Sequence, residues 1–259
     1  MPHEIGPLTL WISVTVAALL VFWSRGGFIW VGLKLGLLEP APERLKRIAG
    51  EISARMNVPL SEVLSVRSPL AQAYALPGLR KLLFTQRLLA LLTDDEVAAI
   101  CAHELAHLTE SRKARYSRSI RRLTYLPWIY FNPLIHTCGT LAFFGLMFVT
   151  IFAPRIYKDI SRKLESRADQ MAKANEGDAG TYARALTRIY QDNFLPAVTS
   201  NKHTTHPHLY ERLLDAGVTP DFPRPVAARS MAWHGHVFAG LGGVLFAIFA
   251  IKQMQIFGN

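Results

Sequence analysis

Cysteine is scarce in this chain, where Cys101 and Cys138 are the only two among 259 residues. Proteins built on disulfides carry several cysteines at characteristic spacings, so this sequence does not indicate a disulfide framework. Neither cysteine is predicted to be a nucleophile or a metal ligand. The candidate chemistry therefore lies in other residues.

Acidic residues are also few, with 19 Asp and Glu against 29 Lys and Arg, which gives a formal net charge of +10. Such an excess can indicate binding to nucleic acid, but the chain has no recognition motif and its basic residues lie next to apolar segments. Anionic lipid headgroups are the simpler partner. We therefore predict contact with a bilayer and no binding to nucleic acid.

Charge is missing altogether from three long segments, Leu8–Trp23, Leu123–Pro154 and Met231–Ile251. Mean hydropathy is +0.17, and the three segments are predicted to be membrane segments. The first has no basic region before it and no small-residue cleavage site, which favours a retained anchor over a signal peptide. Phe28–Leu38 is predicted as an interfacial helix or half of an N-terminal hairpin.

The most specific motif is His103-Glu104-Leu105-Ala106-His107, an HExxH sequence. A capping box at Thr93–Glu96 and the lack of Gly and Pro from Val97 to Leu108 predict a helix here. Residues four apart share one helical face, so both imidazoles can bind a single Zn²⁺. Glu104 would lie beside the metal and is the expected general base.

The candidate third ligand is Glu165, which shares a helical face with Asp169 four residues later. Two histidines and one glutamate leave the fourth tetrahedral position for water, as catalytic zinc sites do. Asp169 would accept a hydrogen bond from a ligand histidine. Taken alone, a carboxylate pair at this spacing is more often part of a solvated helix face. Because it follows an HExxH, we predict that it belongs to a zinc site with one zinc ion per chain.

These motifs belong to a longer series that extends over roughly Pro42–Leu214. The series comprises Gln72-Ala73-Tyr74-Ala75-Leu76-Pro77-Gly78, Leu88-Leu89 with Leu91-Leu92, Asp95-Glu96, the HExxH, the Glu165 to Asp169 pair, and Thr205-His206-Pro207 with Arg212. This series resembles the membrane zinc metalloproteases of the HtpX and CAAX prenyl endoprotease type, a gluzincin family.

The resemblance implies roles for particular side chains. His103, His107 and Glu165 would bind zinc, Glu104 would be the base, and His206 would steady the tetrahedral oxyanion. One departure from the family pattern is Gln72, where Asn is common, and it bears on how a substrate strand is bound rather than on the zinc chemistry.

Read from residues alone, the segment His203–His208 has several explanations. Its three histidines fit a metal site, a transition-state donor or a polar loop, and His203 and His208 are predicted to be surface residues. Pro207 suits the first turn of a helix that stops at Gly217, which would place His206 near the N-cap. Arg212 either orients a carboxylate near the site or is an ordinary exposed helical arginine.

The middle apolar segment must cross a membrane an even number of times if the histidines and Glu165 are to meet. A hairpin turning near Asn132-Pro133 fits this requirement, and a re-entrant loop is the alternative. Basic residues flank the segment on both sides, which places both ends and the zinc site in the cytoplasm. These residues are Arg112, Lys113, Arg115, Arg118, Arg121 and Arg122 before it, and Arg155, Lys158, Arg162 and Lys163 after it.

Short strands are predicted at Glu62–Arg67, Ala71–Ala75 and Leu79–Thr85, and helices at Glu43–Met56 and Tyr182–Tyr190. A strand next to the zinc helix could bind an extended peptide by edge addition. Gln72, Ala73, Tyr74 and Ala75 are the candidates, and a plain sheet edge is equally compatible.

The predicted fold is a mainly α membrane protein with about three to five membrane segments and a zincin-like α+β catalytic domain that contains a small β-sheet. Residues 1–38 would form an N-terminal membrane anchor region. Residues 39–230 would form the protease domain, interrupted by the hairpin at about 123–154, and residues 231–259 a C-terminal transmembrane helix.

The predicted function is zinc-dependent cleavage of membrane or membrane-proximal proteins in protein quality control. The predicted location is the inner membrane of a bacterium with the zinc site facing the cytoplasm. The alternatives are a processing protease for one lipidated or signalling substrate, and a non-catalytic zinc-containing membrane receptor or scaffold. The sequence leaves the oligomeric state open.

Overall fold

The fold combines helices with one small sheet in the computed structural model, which describes residues 7–24, 26–111, 114, 126–196, 208–224, 226 and 242–243. The helices are α1 (Pro7–Ser24), α2 (Gly27–Lys34), α3 (Glu43–Met56), α4 (Gln86–Leu91), α5 (Asp94–Leu108), α6 (Phe131–Cys138), α7 (Thr140–Ala174), α8 (Thr181–Asp192) and α9 (Leu209–Asp215). The strands are β1 (Leu38–Pro40), β2 (Glu62–Val66), β3 (Ala73–Leu76) and β4 (Lys81–Thr85), and a short 3₁₀ helix covers Leu126–Tyr130.

The sheet has the strand order β1-β2-β4-β3, with β2 and β4 parallel and the two outer pairs antiparallel. Alternate residues of β4 point into the core, so that Leu82 and Phe84 are fully buried. The three predicted strands are confirmed with small shifts at their ends. Strand β3 is an outer strand of the sheet and lies against α5.

Helix α3 forms where its apolar spacing predicts it. Leu45, Ile48 and Ile52 are buried in one core with side chains of α5 and the sheet. The helix ends before Asn57, which adopts a left-handed conformation with φ 51°.

Helix α5 carries the HExxH sequence and begins at the predicted capping box. The Thr93 backbone N–H donates to Glu96 Oε2 at 2.9 Å, and Thr93 Oγ1 accepts from the Glu96 N–H at 3.4 Å. From Val97 to His107 nearly every residue is buried, because α3, α7, α8 and the sheet surround the helix. The two histidines are therefore held on a rigid central element.

The middle apolar segment differs from the predicted hairpin in the position of its break. Asn132 and Pro133 lie in the first turn of α6, where a proline is tolerated because those N–H groups have no helical partner. The break comes instead at Gly139, whose φ of 60° and ψ of −148° suit only glycine. A turn at Asn132-Pro133 is thus wrong. The first limb before Leu126 lies outside the described residues.

Helix α7 extends from this apolar region to the residues predicted to bind metal. Its first half is apolar through Phe152, and its second half carries Glu165 and Asp169. Trp128 Nε1 donates to Thr150 Oγ1 at 2.8 Å and ties the 3₁₀ turn to α7. One continuous helix therefore connects the apolar segment to the site.

The described residues contain no single helix that is long and apolar enough to cross a bilayer. The parts of α1 and α2 from Leu10 to Trp23 and from Gly27 to Lys34 meet the requirement only as a pair, with a bend of 77° between them. Most of the predicted span Met231–Ile251 lies outside the described residues.

Candidate active site

Three predicted metal ligands converge between α5 and α7. His103 Nε2 and His107 Nε2 lie 3.3 Å apart, one helical turn from each other. Glu165 Oε2 is 3.6 Å from His103 Nε2, and Glu165 Oε1 is 3.7 Å from His107 Nε2. One ligand atom from each residue lies within 4.8 Å of the others, and all three side chains are buried. This group could hold a metal ion.

The other ring nitrogen of each histidine faces a carboxylate. His107 Nδ1 is 2.6 Å from Glu110 Oε1, and His103 Nδ1 is 3.1 Å from Asp169 Oδ1. An ionised carboxylate only accepts hydrogen bonds, so each Nδ1 carries a proton, and each Nε2, once it has given up any proton of its own, directs its lone pair inward. Two such lone pairs facing Glu165 repel one another unless a cation lies between them, so the donor set fits a divalent metal.

The carboxylates around His103 also favour a cation at this position. Burial lowers the pKa of His103, but the hydrogen bonds to Asp169 and Glu165, together with the charge of Glu104, raise it to about 9. The surrounding carboxylates thus compensate for the loss of water. The same negative field favours a metal ion, which would take the place of the proton on His103 Nε2.

Asp169 is held by a buried network from α8 and α9. Arg212 Nε donates to Asp169 Oδ2 at 2.9 Å, and an Arg212 terminal nitrogen donates to Asp169 Oδ1 at 2.7 Å. Tyr182 Oη donates to Asp169 Oδ1 at 2.6 Å, and Arg212 donates to Tyr182 Oη at 2.7 Å. Burial raises the pKa of Asp169, but the charges of Arg212 and His103 lower it well below its usual range. Asp169 therefore stays ionised and fixes the His103 ring.

Sequence reasoning did not identify Glu110 or Tyr182. Glu110 stands three residues after His107, a spacing that brings both to one helical face and could have been noticed. Tyr182 lies 79 positions from His103 and offers no local signal, although its hydroxyl is 2.9 Å from His103 Nδ1.

The region around α9 corrects two expectations, for His208 and for the start of the helix, and decides between the two alternatives for Arg212. His208 is buried rather than a surface residue, and it occupies the N-cap position of a helix that begins at Leu209, which is later than predicted. Pro207 itself lies outside the described residues. Arg212 is buried and orients a carboxylate, and is not an exposed arginine. Gly217, with φ 81°, follows the helix end as predicted. His203 and His206 lie outside the described residues.

A cavity of about 480 Å³ joins the histidines to the outer strand. Its walls include Glu104, the side chains of the metal-binding group and Ala71–Ala75. Burial raises the pKa of Tyr74, and the nearby charge of Glu104 raises it further. The structure therefore places Gln72, Ala73, Tyr74 and Ala75 around the same space as Glu104.

Comparison with known proteins agrees with this geometry. The sequence profile of Peptidase family M48 matches residues 40–217. A protease HtpX homolog of Thermococcus kodakarensis is 30% identical over 72% of this chain and 71% of its own length. HtpX homologs of Pyrococcus abyssi and Nostoc punctiforme are 26% and 29% identical, over 75% and 71% of this chain and 74% and 71% of their own lengths. The predicted resemblance is confirmed: the chain belongs to peptidase family M48 and is a metallopeptidase that hydrolyses peptide bonds.

Proposed function

We propose that the protein is a zinc-dependent endopeptidase that cleaves membrane or membrane-proximal proteins. The convergence of His103, His107 and Glu165 at one wall of the cavity, with Glu104 beside them, is the observation that carries this proposal. Nitrogen and carboxylate ligands in this number are the set used by catalytic zinc sites, which leave one position open.

Each side chain has a distinct part in the proposed reaction. Zinc, when bound by His103, His107 and Glu165, supplies Lewis acidity to the scissile carbonyl and acidifies water. Glu104 takes a proton at a carboxylate oxygen from the attacking water and later delivers one to the nitrogen of the leaving amine. His206 would donate a hydrogen bond to the oxyanion of the substrate.

Residues that touch the ligands hold them in place. Asp169 and Glu110 accept hydrogen bonds from the Nδ1–H groups of the two histidines. These bonds keep both Nε2 atoms directed at the metal position. Arg212 and Tyr182 fix Asp169 in turn. These four side chains are positioning residues because they act through the histidines.

The substrate is proposed to add to β3 as an extended strand. In the part of the chain that the structure describes, no strand pairs with the outer edge of β3, and Ala71–Ala75 line the cavity. Backbone hydrogen bonds along such an edge bind many sequences, and they would place a peptide bond near Glu104. Gln72, Ala73, Tyr74 and Ala75 form the proposed substrate strand.

The first test compares zinc content and proteolysis of the purified protein and a Glu165→Gln variant. We expect the native protein to hold about one zinc ion per chain and to cleave casein, whereas the variant loses most of the metal because one anionic ligand is gone. Glu51→Gln, which removes an exposed carboxylate on α3, is the matched control and should keep both properties. A metal-free native protein would contradict the proposal.

A membrane location is supported by the exposed apolar surface of α1. Large side chains are exposed all round this helix, and Trp11 is 70% exposed. A helix that is apolar on every side is buried in protein or in lipid. We propose an inner-membrane protein of a bacterium, with an anchor region at 1–38, a protease domain at 39–230 interrupted by the segment at about 123–154, and a transmembrane helix at 231–259.

The basic residues on both sides of the middle segment would contact anionic headgroups and keep the zinc site in the cytoplasm. Membranes washed with alkaline carbonate test this location: the protein should stay in the pellet and be released only by detergent, because its apolar helices are immersed in lipid. Recovery of the full chain in the carbonate wash would show that it is not an integral membrane protein.

A role in quality control requires cleavage of many unfolded membrane proteins, whereas a dedicated processing protease would leave most of them intact. Digestion of a varied set of denatured membrane proteins separates the two. We propose the broad activity, because pairing through backbone groups makes few demands on substrate sequence.

A further inference from the structure

The side chain of Asn193 is bonded to the backbone just before β3. Its Oδ1 accepts from the Ala71 N–H at 2.9 Å, and its Nδ2 donates to the Ala71 carbonyl at 2.8 Å. One carboxamide thus satisfies both backbone groups of a single residue. A residue of a neighbouring antiparallel strand makes the same pair of bonds through its own N–H and C=O groups.

The direction of these bonds follows from the pairing of β3 with β4. The Thr85 N–H donates to the Gln72 carbonyl at 3.0 Å, so the backbone groups of Gln72 face β4. Ala73 lies opposite Phe84, the next pair along the ladder. Backbone groups alternate sides along an antiparallel strand, so those of Ala71, Ala73 and Ala75 face the outer edge.

Asn193 therefore occupies the first outward-facing position of the edge proposed to bind substrate. It follows the end of α8 and lines the same cavity as Ala71 and Glu104. Ala71 itself is fully buried. Only Ala71 to Ala73 precede Tyr74 on this edge. Three residues of strand span about 10 Å, so the edge available to a substrate there is short.

We propose that Asn193 is a stop that sets the register of the substrate strand. A substrate pairs with Ala73 and Ala75 but not with Ala71, because the Asn193 carboxamide already holds that position. Beyond Ala73 the substrate must leave the edge, so residues further out form no backbone bonds with the enzyme. This inference rests on the proposed addition of substrate to the edge of β3. It states how far the substrate strand can pair with that edge on one side of the scissile bond.

Two peptide series test this limit. Both contain the same scissile bond; one is lengthened residue by residue on the N-terminal side and the other on the C-terminal side. With the native enzyme, kcat/KM in one series should stop rising once the peptide reaches Ala73. In Asn193→Ala it should continue to rise for about two more residues, so that the ratio of kcat/KM between the longest and shortest peptides increases about fivefold, as one or two added hydrogen bonds allow.

Asn193→Asp is the matched control, because it keeps an acceptor for the Ala71 N–H and still fills the position. Its length profile should follow that of the native enzyme. Thermal unfolding checks the folding of each variant, and Asn193→Ser, whose hydroxyl reaches one backbone group only, replaces the alanine variant if that does not fold.

The outcomes distinguish a failure of the register proposal from a failure of the proposed function. If the native enzyme cleaves the peptides and Asn193→Ala has the same length profile in both series, then Asn193 only ties α8 to the sheet and the register proposal is overturned. If the native enzyme loaded with zinc cleaves none of the peptides or proteins, the proposed function fails and this inference fails with it.

Discussion

Replacing Glu104 with Gln is expected to lower kcat by about 10²–10⁴-fold while leaving the zinc content unchanged. Glutamine has nearly the same size and keeps a carbonyl oxygen, but it cannot take a proton from the attacking water. Glu104 lines the cavity beside the histidines and is not one of the three converging ligands. The rate of peptide cleavage and the zinc content, measured on one preparation, provide the test.

The zinc content distinguishes a lost base from a damaged site. Loss of both zinc and activity in Glu104→Gln would show that Glu104 supports the metal, and a native rate with native zinc would exclude Glu104 as the base. Glu51→Gln again controls for the removal of one negative charge, because Glu51 is exposed on α3 and does not line the cavity.

Replacing Arg212 with Leu is expected to lower the free energy of unfolding by about 3–5 kcal/mol. Arg212 and Asp169 are each about 6% exposed, and Leu would leave the Asp169 carboxylate buried without its cationic partner. The loss is large because a buried charge cannot recover its hydration. Denaturant unfolding of the metal-free protein in detergent measures the effect.

An exposed ion pair nearby is the control. Arg224 lies 2.7 Å from Glu211, and its side chain is 53% exposed. Arg224→Leu should cost no more than about 1 kcal/mol, since water screens an ion pair whose arginine is half exposed. If Arg212→Leu cost as little as Arg224→Leu, Asp169 would not depend on its ion pair. The double variant Arg212→Leu, Asp169→Leu should regain part of the lost stability.

The local features of the site could be predicted from the sequence. The capping box at Thr93, the helix that follows it and the shared face of His103 and His107 depend on residues within four positions of each other. The same holds for the apolar face of α3 and for the stop at Gly217. Short-range geometry determines such features wherever the segment lies in the fold.

The position of the break in the middle segment was not predictable in this way. Asn132-Pro133 has the composition of a turn, yet it lies within the first turn of α6, where proline causes no loss of hydrogen bonds. Gly139 takes the break because only glycine accepts its backbone conformation. Two local signals competed here, because a proline fits the first turn of a helix as well as it fits a turn.

The sequence by itself determined that this chain has an HExxH helix, a carboxylate pair one helical turn apart and a family resemblance that the comparisons confirm. Tertiary structure alone decided that Tyr182 and Arg212 hold Asp169, that His208 is buried, and that Asn193 covers Ala71. The physical reason is distance along the chain. A helical period specifies which residues share a face, but the partner of that face depends on how segments tens of residues apart pack around one core.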